Sequence, residues 1–167
     1  TERKRMEEAL RESEEKYRLI AENMVDVIAI LDMNLRYMYI SPSIMRLRGL
    51  TVEEAMKETL DQVLTPESLK IVTSAFEEEL KMEASETANP DRIRIMELDE
   101  YRKDGSIICV EASLSYLRDK GNKPIGILAI TRDISDRRRA EEEKRSLKER
   151  LQRSEKMETL GQLAGGV

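Results

Sequence analysis

Few residues in this chain could do chemistry. It contains no histidine and one cysteine, Cys109. A Ser-His or Cys-His nucleophile pair therefore cannot be assembled, and a haem iron held through an axial histidine has no ligand. Cys109 and the nine methionines show no haem motif, which leaves scattered carboxylates as metal ligands. Cys109 stands in Ile107-Ile108-Cys109-Val110-Glu111, where a lone strand cysteine reads as inert core; redox sensing is the alternative, and it needs an exposed thiol beside positive charge. The glycine cluster from Gly161 to Gly166 sits in a charged helical stretch and fits neither a P-loop nor a strand-led dinucleotide fingerprint. No enzyme is expected in this segment.

The elements that would position a site must come from the middle of the chain. At 167 residues there is room for one domain plus connectors, since single cores close within about 100 to 200 residues. Charged residues make up 38% and aromatics 4%, with the charge concentrated at the N-terminus and after Asp136. The net charge of −5, with acidic and basic residues interleaved, offers no clustered basic face to displace phosphate counterions, so no nucleic-acid partner is expected. A single cysteine cannot form an intramolecular disulfide, which points to a reducing, cytoplasmic compartment. No apolar run approaches the roughly 18 to 20 residues that cross a bilayer, and Thr1-Glu2-Arg3-Lys4-Arg5 leads into no signal segment, so no membrane contact is expected here. The missing initiator methionine and the closing Gly165-Gly166-Val167 read as a piece of a longer protein, whose anchor could lie elsewhere.

Met6, Leu10, Ser13, Tyr17, Ile20 and Met24 step by four and three, a heptad seam on one helix face. Residues 26–32 are a compact apolar and β-branched run, followed by a Met33-Asn34-Leu35 turn and a second strand to Ser41, which predicts a hairpin. Pro42 to Arg48 with Gly49 behind it reads as a short helix with a glycine stop. Thr51 with Glu54 forms a capping box for another, and Thr65-Pro66-Glu67 opens the longest, with Leu69, Val72, Thr73, Phe76 and Leu80 along one stripe. Residues 82–91 read as a loop. Strands over 92–102 and 106–118 flank an Asp104-Gly105 hairpin turn, and a last strand covers 124–132. The order β-β-α-α-α-β-β-β implies an α+β sheet with helices on one face. After Asp136 the chain becomes a charged helix whose apolar spacing changes phase near Ser154 to Met157.

The runs Tyr37-Met38-Tyr39-Ile40-Ser41-Pro42-Ser43, Arg102-Lys103-Asp104-Gly105-Ser106 and Arg132-Asp133-Ile134-Ser135, in this order, resemble a PAS domain from roughly Tyr17 to Ser135. The resemblance implies the PAS fold, a five-stranded antiparallel sheet with helices packed on one face, flanked by coiled-coil-like helices. It divides the chain into an N-terminal signalling helix (1–22), a PAS sensory domain (23–135) and an output helix (136–167). Asp133, Ile134 and Ser135 resemble the Asp-Ile-Thr signature that couples such domains to their output helix, where the aspartate usually pairs with a basic side chain. Residues 155–167 resemble the approach to the histidine box of sensor histidine kinases, which continues Ala-His-Asp-Phe-Asn-Asn. That resemblance implies a phosphoacceptor histidine two residues beyond Val167, a parent that is an ATP-dependent phosphotransferase of a two-component system, and a response regulator as its phosphorelay partner. The two helical segments suggest a homodimer, and Gly161 and Gly165 would allow close helix approach.

PAS domains commonly hold ligands between sheet and helices. The expected lining here is Ile28, Ile30, Tyr39, Met45, Val72, Phe76, Cys109, Glu111, Ile127 and Ala129, although apolar residues at such spacings also suit a plain core. Glu111 and Tyr39 stand out, because an inward carboxylate or phenol must find a hydrogen-bond partner that a polar ligand could supply. No cofactor is specified: the helix from Pro42 to Gly49 lacks the cysteine of a cysteinyl-flavin adduct, and an unknown small molecule remains open. Besides a histidine-kinase sensor, two readings stand: a dimerisation or spacer module without ligand, and a PAS domain serving a diguanylate cyclase. For the latter, Glu158-Thr159-Leu160-Gly161-Gln162-Leu163 departs from the Asp-x-Leu-Thr-Gly-Leu pattern of cyclase outputs.

Overall fold

Alternation of burial builds the sheet. In strand β4, Ile107–Arg118, the residues Ile108, Val110 and Ala112 are buried while Cys109, Glu111 and Ser113 between them are half-buried, as a strand with one covered face requires. The computed structural model describes residues 1–85 and 87–165, with the backbone alone for 163–165. Strand β1 (Val27–Leu31) pairs with β2 (Tyr37–Ile40) and with β5 (Pro124–Asp133), while β4 joins β5 to β3 (Arg94–Tyr101). All pairs are antiparallel, and the sheet order is β2-β1-β5-β4-β3. The first and last strands thus meet in the middle, and β1 lies against β5 with Val27, Ala29 and Leu31 opposite Thr131, Ala129 and Ile127, all buried.

The covering helices start where the sequence caps them. Helix α2 (Ile44–Arg48) ends at Gly49, whose φ of 76° is the left-handed conformation that suits glycine. Helix α3 (Val52–Met56) carries the Thr51–Glu54 capping box. A fourth helix, α4 (Leu60–Val63), lies between β2 and β3 where three were expected in all; it is a single turn, opened by a second box from Thr59 and Gln62. Helix α5 (Pro66–Ala84) is capped by Thr65, whose hydroxyl accepts from Ser68 N at 3.4 Å. These helices and the inner sheet face enclose a core in which Ala55 and Val110 are fully buried; each buried valine or leucine contributes about 1.5–3 kcal/mol.

One close approach pins β5 against β1. A Cβ added at Gly126 would lie 2.9 Å from the Leu31 carbonyl oxygen, a backbone atom that cannot swing away. Gly126→Ala is expected to lower stability by about 1–3 kcal/mol, the range for overpacking. Urea unfolding checks this, and an unchanged midpoint would mean that the two strands separate freely there.

Two units divide the chain, Thr1–Asp133 and Ile134–Val167. In the first, the N-terminal helix α1 (Glu2–Asn23) has no buried residue, and the seam residues Met6, Leu10, Tyr17 and Ile20 are exposed. Met24 falls outside the helix, at an extended C-cap. In the second, α6 (Ser135–Gly165) is one unbroken helix through the expected phase change, with Leu147, Leu151, Met157 and Leu160 exposed. Gly166 and Val167, the end of the expected histidine-box approach, lie outside the described residues.

Candidate ligand cavity

Helix α5 lies over the inner face of the sheet. Its attachment is polar at one end, where Asp99 N donates to Ser68 Oγ at 2.8 Å and Thr65 N donates to Asp99 O at 3.1 Å. Farther along, Val72, Ala75 and Phe76 face Met96 of β3, Leu114 and Tyr116 of β4 and Ile127 of β5 across a cavity of about 60 Å³, with Leu35 at its edge.

Glu79, Arg92 and Arg94 line the polar side of this cavity. Arg92 Nε and Arg94 Nε donate to the two Glu79 carboxylate oxygens at 2.7 and 2.9 Å, and Arg94 Nη1 reaches Glu78 at 3.0 Å. Arg92 Nη2 lies 2.6 Å from Glu79 Oε2 and 3.0 Å from Glu83 Oε1. It is nonetheless a buried nitrogen without an aligned hydrogen bond, so these contacts act as ion pairs. Arg118 grips Glu83 with both terminal nitrogens, and that hydrogen bonding, reinforced by Arg92, holds the Glu83 carboxyl at about 2. Three carboxylates thus face three guanidinium groups. Two of these cations lie over the Tyr116 ring, Arg92 Cζ 5.6 Å and Arg118 Cζ 5.4 Å from its centroid. Its hydroxyl is buried and has no hydrogen-bond partner among the described residues. Burial, the largest cause, raises its pKa, so the phenol keeps its proton.

A second buried cluster lies beneath α2. Arg48, 3% exposed, donates from Nη1 and Nη2 to the Glu58 carboxylate at 2.7 and 3.2 Å and from Nε to Tyr101 O at 2.6 Å. Glu100 Oε2 stands 3.7 Å from the same Nε. Arg48, Glu100, Tyr37 and Thr131 border a small void of about 20 Å³. Burial drives the Glu100 carboxyl up to about 7 and, with Glu100 beside it, pushes the Tyr37 phenol above its ordinary range.

Of the ten residues expected to line a pocket, Val72, Phe76 and Ile127 line the α5 cavity, and Ala129 lies in the adjoining core. Met45 is half exposed on the outside of α2. Ile28, Ile30, Tyr39, Cys109 and Glu111 are corrected to the opposite face of the sheet. Their register partners are Ile130, Leu128, Ile30, Asp99 and Arg132, and directly opposed residues share a face. The error is one step of register, which moves a strand's whole side-chain set across the sheet. The argument for an inward Glu111 or Tyr39 therefore falls. Tyr116, Glu79, Arg92 and Arg94 were missed, although Ser113 and Ser115 alternating with Leu114 and Tyr116 marked Tyr116 as inward. Asp133 closes β5 opposite Val110, Ile134 is buried, and Ser135 opens α6. Among the described residues no cluster of three or more Cys, Asp or Glu could hold a metal ion, and no helix is long and apolar enough to cross a membrane.

This sheet order and helical cover define the chain as a member of the PAS fold family, which matches residues 21–139. Over 159 residues it is 24% identical to the sensor histidine kinase TmoS of Ectopseudomonas mendocina and 28% identical to the methyl sulfide methyltransferase-associated sensor of Methanosarcina acetivorans. Each alignment takes in 95% of this chain, which spans only 16% and 14% of those two relatives. Among solved structures, the PAS domain of an HTR-like protein from Haloarcula marismortui is similar with a TM-score of 0.63 and 24% identity, covering 78% of this chain and 99% of that one. A sensory box histidine kinase/response regulator from Burkholderia thailandensis is similar at 0.61 and 18% identity, covering 83% and 98%.

Proposed function

We propose that this PAS domain is the sensory segment of a histidine kinase, which passes a signal along β5 into α6 and so to a dimerisation helix bearing the phosphoacceptor histidine. Continuity of the chain carries the reading: β5 ends at Asp133 and α6, 31 residues long, begins at Ser135. With one residue between strand and helix, a shift of β5 has little slack in which to dissipate. The likeness of two sensor proteins across 95% of the chain supports it, as does the resemblance of residues 155–167 to the approach to a histidine box. In this reading α1 and α6 pair across a homodimer through their exposed apolar residues, the parent works in the cytoplasm, and a response regulator receives the phosphoryl group.

Asp133→Ala in the intact kinase tests the coupling. Basal or signal-dependent autophosphorylation is expected to change several-fold, while the PAS domain loses no more than about 2 kcal/mol, the upper range for a lost helix cap. Unchanged regulation would reduce Asp133 to a local structural residue, and a residue other than histidine two places beyond Val167 would remove the kinase assignment.

A further inference from the structure

We propose that the Arg48–Glu58–Glu100 cluster beneath α2 is a proton-binding site with Glu100 as the acceptor, and that its occupancy is passed through Thr131 to the end of β5. The inference rests on the sensory reading of the domain and names pH as the signal it would receive.

Charge balance is the first observation. At the edge of the α5 cavity three arginines face three glutamates; here one guanidinium faces two carboxylates. Arg48 commits Nη1 and Nη2 to Glu58, and its single Nε hydrogen goes to Tyr101 O. Glu100, 8% exposed, stands 3.7 Å from that Nε, beyond hydrogen-bond distance. The charged and titratable groups that face it are Arg48 from α2, Glu58 after α3 and Tyr37 from β2. The other neighbours carry no charge: Val27 and Ala29 of β1, Thr131 of β5, Ile108 opposite on β4, and Leu64, which bridges Glu100 from the α4 side. With both carboxylates ionised the buried cluster keeps one uncompensated negative charge, which is costly. One proton on the Glu100 carboxylate brings it to neutrality, and nothing else need be exchanged with solvent. The second observation is where the change would be felt. Thr131 shares with Glu100 the void of about 20 Å³, room for one water molecule, and stands two residues before Asp133, where β5 ends. An ionised Glu100 draws water into that void or pulls Arg48 from Tyr101 O, and Thr131 is part of the wall that must adjust.

NMR of the full chain tests both halves as the pH rises from about 5 to about 8. The Glu100 carboxyl carbon is expected to titrate at about 7. Amide exchange, corrected for its intrinsic pH dependence, should show Thr131, Arg132 and Asp133 losing protection several-fold relative to Leu117 and Gly126, which pair at the other end of β4 and β5. Glu100→Gln should abolish that relative loss. A carboxyl that does not titrate in this range, a loss shared equally along β5, or a relative loss that persists in Glu100→Gln would each overturn the proposal. In the unmodified protein the two midpoints must also coincide, so unequal midpoints overturn it even if the variant fails to fold. Neither measurement involves phosphate transfer, so failure here leaves the autophosphorylation test of Asp133 standing, and failure there leaves the proton site intact.

Discussion

Arg48→Ala is expected to cost the domain about 3–5 kcal/mol, the loss typical when one partner of a buried ion pair is removed. Arg48 is 3% exposed and is the cation between two carboxylates, bonding Glu58 at 2.7 and 3.2 Å and standing 3.7 Å from Glu100. Alanine would leave those two carboxylates facing each other, leave Tyr101 O without its 2.6 Å donor, and open a hole beneath α2. Adding Glu100→Gln should return about 1–2 kcal/mol, because the residues are coupled through one network. Urea midpoints of the single and double variants measure both values; a loss below about 1 kcal/mol for Arg48→Ala would show that the cluster is not a structural keystone.

Glu100→Gln alone is expected to stabilise the domain at pH 8 and to flatten its stability between pH 5 and pH 8. Arg48 commits its hydrogen bonds to Glu58 and Tyr101, so burial dominates at Glu100 and its carboxyl titrates at about 7 rather than 4.5. In the unfolded chain the same group ionises near its ordinary value, so between these two pH values the folded state holds the extra proton. The resulting stabilisation is complete below pH 4.5 and is lost as the pH rises through 7. The shift corresponds to at most about 3 kcal/mol. Glu83 acts in the opposite sense, stabilising above the unfolded carboxylate range and losing its contribution as pH falls toward 2. A pH series of urea unfolding should therefore show the unmodified domain weakening from pH 5 to pH 8 and the glutamine variant nearly level. Parallel curves would place the titrating group elsewhere.

Sequence reading found most of the frame because its signals are local. Thr51 with Glu54, Thr65 with Pro66, and Gly49 behind Arg48 mark helix ends through bonds that close within four residues. The Asp104-Gly105 turn lies between β3 and β4 as expected, with Gly105 at a φ of 85°. Helix α4 was overlooked although Thr59 and Gln62 carry the same box, because a single turn has no apolar period to confirm it.

The site was less legible. In β1 every residue from Val27 to Leu31 is apolar, so alternation cannot tell the covered face from the open one, and a choice one residue off moved Ile28 and Ile30 into the core. The clusters that matter chemically join distant positions: Arg48 with Glu100, Glu79 with Arg92 and Arg94, and Glu83 with Arg118. Such pairs depend on which strand lies beside which and on where α5 crosses the sheet.

By itself the sequence determined the order of the strands and of every helix but α4, most of the caps and turns, the PAS signature and the lack of any histidine, all consequences of residue type and short-range spacing. Only the tertiary structure decided which face of each strand is inside, that three arginines and three glutamates balance at the edge of the cavity, and that the buried Tyr116 hydroxyl has no hydrogen-bond partner among the described residues. Burial and charge pairing are properties of the assembled sheet and helix, set by contacts between residues far apart in the chain.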